Sequence, residues 1–296
     1  MRESRCALLL RARSETTSSQ VKLFRRGVQR RRQCDALTMH DIKSLAVRQL
    51  RDYDARTPGT VFAEQLSLSE EQAWALQSEV ARLRQQRGES VVGYKVGCTS
   101  TAIQQQLGID HPVYGRLFSS ESWPSGTRLP IERFFGLAVE GELAVRLACD
   151  LPAVDLPETE LMAAIETVFP VIELHNFVFR RLEPSAEELI ANNAIHAGYV
   201  CAADRPPALE SGPNTLRIEI DGVVVATVSH AELNTTVVDS LRWLAKTLRD
   251  FGHDLKAGQT ILCGSVADLI PISHGCRISV TTDRFGSVEC TIDEGG

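Results

Sequence analysis

Nowhere in the 296 residues does an apolar run approach the 18 or so needed to cross a membrane, so no membrane span is expected. There is no excess of basic charge either. The formal net charge of −6 argues against a nucleic-acid partner. None of the eight cysteines (Cys6, Cys34, Cys98, Cys149, Cys201, Cys263, Cys276 and Cys290) forms a C-x-x-C pair, and most sit in apolar runs such as AVRLAC and TILCGS. That pattern fits reduced, buried thiols in a cytoplasmic protein rather than a disulfide framework or a zinc site. Internal repeats and low-complexity tracts are absent. With 43% hydrophobic and 24% charged residues, the chain can bury a full core, and global disorder is excluded.

The charge is unevenly placed. Residues 1–34 hold nine arginines and one lysine against Glu3 and Glu15, a local +8, which leaves −14 on the remainder. We read residues 1–38 as a basic extension, disordered or artefactual, ahead of a single domain over residues 39–296. The same Arg-rich, acid-poor composition also suits an organelle transit peptide or a binding arm. Met39 opens a sensible helix, MHDIKSLAVRQLRDYDA.

Along the body, apolar spacing predicts helices over 42–53 and 69–87, the latter with Ser69 and Gln72 as a capping box and Gly88 as its stop. VVGYKVG reads as a strand, and TSTAIQQQLG as a short helix capped by Thr99. Residues 109–130, rich in Pro, Gly and Ser, read as loops or a lid. The clearest alternation runs from Leu137 to Cys149, with Glu140 and Glu142 on one face and the core on the other. A helix over 158–168, the strand PVIELHNFVF, a short helix over 185–191 and a strand from His196 follow. NTLRIEIDGVVVATV is a hairpin turning at Asp221-Gly222. A helix over 236–251 and three strands (259–264, 277–282, 287–293) complete the chain. Helices gather before residue 90 and strands dominate afterwards, so the fold class is α+β rather than a doubly wound sheet.

Two glutamates two apart on a strand direct their carboxylates to one side, where they repel unless a cation or proton intervenes. Glu173 is a third acid inside an apolar strand. Three oxygen donors without Cys or His ligand spacing suit a hard cation, Mg²⁺ or Mn²⁺. Taken alone, the E-x-E also describes a solvated strand face. Lys95 inside an apolar strand is either functional or a snorkelling edge lysine. His175 shares the face of Glu173 and is a general base, a substrate contact or a hydrogen-bonded structural histidine. His111 and His196 are further candidates.

The ordered blocks GYKVGCTS, QQQLGIDHPVYGRLF, VEGELAVRL, FPVIEL and LKAGQTILCGS resemble the 2-keto-4-pentenoate hydratase/4-oxalocrotonate decarboxylase branch of the fumarylacetoacetate hydrolase superfamily, over residues 60–293. The resemblance implies a fumarylacetoacetate hydrolase-like catalytic fold of layered mixed β-sheets with an N-terminal helical region. It implies a divalent metal on Glu140, Glu142 and Glu173. It marks Lys95 as the active-site lysine and Ser265 as a position near the substrate carboxylate; His175, on the face of Glu173, is the other catalytic candidate, and Asn176 a further substrate-binding candidate. Two departures stand out: Asn176 replaces an Asp that usually follows the third metal ligand, and the family's D-N-A-S reads Asn192-Asn193-Ala194-Ile195.

The implied activity is a hydratase (hydro-lyase) that adds water to a 2-hydroxy-2,4-dienoate or 2-oxo-alkenoate in the breakdown of aromatic ring-cleavage products. The alternatives are a 2-oxo acid decarboxylase, a C–C bond hydrolase, or a non-catalytic partner subunit of such an enzyme. The implied partners are a small 2-oxo or 2-hydroxy acid, further copies of the chain in a homo-oligomer, and a paralogous decarboxylase. Because the extension lacks apolar periodicity and cannot dock by burial, a chain begun at Met39 should melt within about 2 °C of the full chain and keep its activity. Differential scanning fluorimetry decides this, and a drop of more than about 4 °C refutes it.

Overall fold

The computed structural model describes residues 39–64, 66–151, 156–180, 185–202, 214–265 and 267–295, excepting the side chains of residue 40 and residues 230–235. The basic extension lies outside these residues. The helices are α1 (Met39–Asp54), α2 (Thr60–Ala63), α3 (Glu70–Gln86), α4 (Thr101–Leu107), α5 (Glu158–Ala163), α6 (Ala186–Ala191) and α7 (His230–Asp250). The strands are β1 (Val91–Gly97), β2 (Val113–Phe118), β3 (Ser122–Pro124), β4 (Thr127–Pro130), β5 (Leu137–Leu147), β6 (Ile165–Asn176), β7 (His196–Cys201), β8 (Leu216–Ile220), β9 (Val223–Val228), β10 (Thr260–Leu262), β11 (Ile270–Pro271), β12 (Cys276–Thr282) and β13 (Ser287–Asp293).

Local chemistry accounts for several boundaries. Ser69 Oγ accepts from the Gln72 N–H at 3.2 Å and Gln72 Oε1 accepts from the Ser69 N–H at 2.9 Å, the capping box that starts α3. Asp221 (φ 51°) and Gly222 (φ 79°) are both left-handed, as a tight β8–β9 hairpin requires.

Strands build two mixed sheets. The larger runs β2-β1-β10-β5-β6-β7-β3, with β11 against β5, and the smaller runs β4-β13-β12-β8-β9. The α+β class and the layered mixed sheets are as expected. No helix among the described residues is long and apolar enough to cross a membrane. Six cysteines, from Cys98 to Cys290, are free thiols.

Four expectations are corrected. Residues 109–130 are not a lid. Val113, Tyr114, Leu117 and Phe118 are buried and β2 pairs antiparallel with β1, because apolar residues lie between the Pro and Gly signals. The helix expected over 158–168 stops at Ala163, since Ile165 already pairs with Leu147 and sheet pairing overrides helical spacing. Ser100, not Thr99, caps α4, accepting from Ile103 N. Helix α7 begins at His230 rather than at 236.

Strand β5 does not have one wet face. Ala138, Glu142 and Ala144 are as buried as Val139, Leu143 and Val145. Its odd-numbered side faces the smaller sheet. A Cβ added at Gly141 would lie 2.7 Å from Ile218 Cγ1 and 2.9 Å from Val280 Cγ2. Glycine between the two glutamates thus lets the sheets close together behind them. Gly141→Ala should destabilise the chain by about 1–3 kcal/mol through overpacking, read as a lower urea midpoint at unchanged slope.

Candidate active site

Pairing register assembles the site. Strands β5 and β6 are antiparallel, with Glu140 opposite Glu173, Glu142 opposite Val171 and Ala138 opposite His175. Paired residues share a face and side chains alternate with period two, so Glu140, Glu142, Glu173 and His175 all point to one side. Lys95 reaches the same side from β1, in a row through Leu262 of β10 and Ala144 of β5.

The distances are short. Lys95 Nζ lies 3.4 Å from Glu173 Oε1. His175 Nε2 lies 3.1 Å from Glu140 Oε2 and 3.7 Å from Glu173 Oε2. Glu142 Oε2 accepts from the Gly264 N–H at 2.9 Å. Glu142 Oε1 and Glu173 Oε2 are buried with no hydrogen-bond partner among the described residues. Buried carboxyl oxygens left without a donor fit a cation. One donor atom from each of Glu140, Glu173 and His175 lies within 4.8 Å of the others, a spacing that suits a metal ion. Only Glu140 of the three glutamates has solvent access, its side chain being 19% exposed.

His196 is the residue that sequence reasoning left ambiguous and the structure brings in. Its Nδ1–H donates to Glu173 Oε1 at 2.7 Å, and its side chain is fully buried. It follows three consecutive left-handed residues, Asn193 (φ 56°), Ala194 (φ 52°) and Ile195 (φ 56°). Each costs free energy for a non-glycine residue, so the turn must be held from outside. The Asn193 amide does so, accepting from Arg116 N at 2.7 Å and donating to Arg116 O at 2.9 Å. No periodicity announces this turn. The asparagines in the NNAIH segment were the available signal.

The electrostatics follow from this crowding. Burial, together with Glu173 and Glu140 alongside, raises the Glu142 carboxyl well above the usual carboxylate range. Burial acts the same way on Glu173, but Lys95, His175 and His196 outweigh it and hold that carboxyl low. Lys95 reverses an expectation: inside an apolar strand its pKa should fall, yet Glu173, Glu140 and Glu142 more than offset its burial and raise it. Burial pushes the neighbouring Cys98 thiol up to about 11, so it stays neutral.

Other expected residues lie elsewhere. Asn176 is on the opposite face of β6 from Glu173 and His175, and its Oδ1 accepts from Phe135 N at 2.9 Å. Asn192 is equally structural, its Nδ2 donating to Glu188 O at 2.7 Å near the end of α6. Ser265 follows Gly264, and its Oγ both donates to Ala267 O (3.0 Å) and accepts from Ala267 N (3.2 Å). His111 pairs with Glu70 at the start of α3, away from the carboxylates.

This architecture is shared with solved structures of the fumarylacetoacetate hydrolase type. Against 4-oxalocrotonate decarboxylase from Pseudomonas putida G7, complexed with magnesium and adipate, the TM-score is 0.80 at 23% identity, covering 88% of this chain and 99% of that one. No family model matches the chain. Among curated proteins, a 2-keto-4-pentenoate hydratase from Burkholderia vietnamiensis is 30% identical over 225 residues, 75% of this chain and 86% of the relative. A 2-hydroxyhexa-2,4-dienoate hydratase from Comamonas testosteroni is 28% identical over 243 residues, 80% and 91% of the two chains. The chain belongs to the 2-keto-4-pentenoate hydratase family, and it is an enzyme of the hydro-lyase type.

A raised pKa at Glu142 means that its ionisation opposes folding. The cost sets in above the unfolded value of about 4.3 and grows until the folded pKa is passed. Glu142→Gln can keep the Gly264 bond through its amide oxygen. In chelator at pH 7 it should raise Tm by about 2–4 °C, near 1 kcal/mol, with the gain vanishing below about pH 4, while Mn²⁺ affinity by calorimetry falls.

Proposed function

We propose that residues 39–296 form one catalytic domain, a divalent-metal-dependent hydratase that adds water to a 2-hydroxy-2,4-dienoate or the related 2-oxo-alkenoate. The observation that carries this is the convergence of Glu140, Glu142 and Glu173 beside Lys95, with two buried carboxylate oxygens lacking a partner. These glutamates would hold Mg²⁺ or Mn²⁺. The ion would supply a Lewis acid for the C1 carboxylate and the adjacent C2 oxygen of such an acid.

The chain's own residues account for the remainder. Lys95, kept charged by three carboxylates, stands ready to bind the anionic head group and to give up a proton as negative charge at the site is redistributed. Adjoining rows contribute an apolar cluster of Leu117, Ala144, Phe169, Val171, Tyr199 and Leu262, which keeps bulk water from one side of the carboxylates. Ser265 serves as a carboxylate contact by exchanging its Ala267 partner. Asn176 acts from behind, fixing the end of β6 through Phe135. The enzyme works in the cytoplasm as a homo-oligomer, alone or beside a paralogous decarboxylase.

The test is turnover of 2-hydroxypenta-2,4-dienoate by the full chain with Mn²⁺ or Mg²⁺. Loss of dienol absorbance without CO₂ is the expected result. CO₂ release identifies a decarboxylase instead, and no turnover with either metal supports a non-catalytic partner subunit. Lys95→Met should lower kcat/KM by about 10²–10⁴-fold without weakening Mn²⁺ binding.

A further inference from the structure

The two oxygens of Glu173 have different surroundings. Oε1 is occupied twice, by His196 Nδ1 at 2.7 Å and by Lys95 Nζ at 3.4 Å. Oε2 is buried and has no hydrogen-bond partner among the described residues. It looks onto His175 Nε2 at 3.7 Å, and that same nitrogen sits 3.1 Å from Glu140 Oε2. Three donor atoms, two oxygens and one nitrogen from adjacent strands, therefore converge within 4.8 Å.

His175 is badly placed to serve as a free base. The residue is only 2% exposed, Nε2 faces two carboxylates, and Nδ1 is buried without a partner. Neither ring nitrogen meets open space where a reacting carbon could sit. Nε2 does face the carboxylate cluster, since His175 lies two residues along from Glu173 on the same face of β6. Glu142, by contrast, has one oxygen committed to the Gly264 N–H.

We infer that His175 Nε2 is itself a metal ligand, so that this chain carries a mixed carboxylate–imidazole centre that takes a transition dication of the Mn²⁺-to-Zn²⁺ series in preference to Mg²⁺. The inference rests on the reading that a dication is held at this site. Its chemical ground is that Mg²⁺ prefers oxygen donors and retains its waters, whereas imidazole nitrogen favours the transition ions. It replaces the all-oxygen donor set expected from the sequence. With His175 engaged through Nε2, proton transfer is left to Lys95.

The direct test is pulsed EPR on the full chain loaded with Mn²⁺. A nitrogen coupling of the kind given by directly bound imidazole is expected. It should change on ¹⁵N-histidine labelling, disappear in His175→Gln and persist in His196→Gln, because His196 touches Glu173 rather than the ion. Calorimetry on the same proteins should show Mn²⁺ and Co²⁺ bound at least about 10-fold more tightly than Mg²⁺. His175→Gln should lose about 10–100-fold for the transition ions and less than about 3-fold for Mg²⁺. A bound Mn²⁺ without nitrogen coupling overturns the inference even if dienoate turnover proceeds, and so does a wild type that binds Mg²⁺ as tightly as Mn²⁺. Nitrogen coupling without turnover leaves it standing and overturns the hydratase reading. Failure to bind any dication overturns both.

Discussion

Three glutamates share one face of a two-strand ladder, and Glu142 and Glu173 are almost wholly out of water. Carboxylates that close repel strongly in a protein interior, and the surrounding structure either neutralises them or spaces them. Lys95 comes from β1, His196 from the start of β7, and the Gly264 N–H from the segment after β10. Each meets a different oxygen or shares one, and the elements that bring them are far apart in the chain. The order of strands in the larger sheet is thus tied to charge balance as much as to apolar burial. Where that balance falls short, burial and the neighbouring Glu173 and Glu140 raise the Glu142 carboxyl well above the usual carboxylate range.

The smaller sheet serves the site without touching it. It packs on the odd-numbered side of β5, where Gly141 leaves room for Ile218 and Val280. A rigid backing of this kind holds both glutamates to their register, since a one-residue slip would swing them into the inter-sheet core. The left-handed run Asn193–Ile195 has a comparable purpose. It spends backbone strain to aim His196 at Glu173, and the amide of Asn193 locks it against β2.

The departures from the family pattern gain meaning in this setting. Asn176 and Asn192, standing where acids are usual, are engaged in hydrogen bonds to Phe135 and Glu188, and Asn176 lies on the opposite face of β6 from the carboxylates. They hold backbone instead, Asn176 at the end of β6 and Asn192 at the end of α6. His175, one position earlier than Asn176, points to the face of β6 that carries Glu173. A side chain that adds nitrogen to an oxygen-donor centre alters which ions bind and which group is left to move protons.

Much of this was legible in the sequence. The period-two spacing of Glu140 and Glu142, the third acid in an apolar strand, the lysine in GYKVG, the capping box at Ser69 and the Asp-Gly hairpin are all local facts, and local chemistry is enough to read them. So was the α+β class, because helical and strand periodicities are segregated along the chain. What only the tertiary structure decided is how those pieces face one another. No spacing reveals that Glu140 pairs with Glu173, that β5 is covered on both sides, or that the residues after Asp110 become β2. Sequence neighbours alone do not give the charge balance of Lys95 either, since an apolar strand by itself lowers a lysine pKa. The three carboxylates that raise it arrive from strands 45 to 78 residues away. Propensity and periodicity act over a few residues, whereas electrostatic balance and donor geometry are set across strands, after the chain has closed on itself.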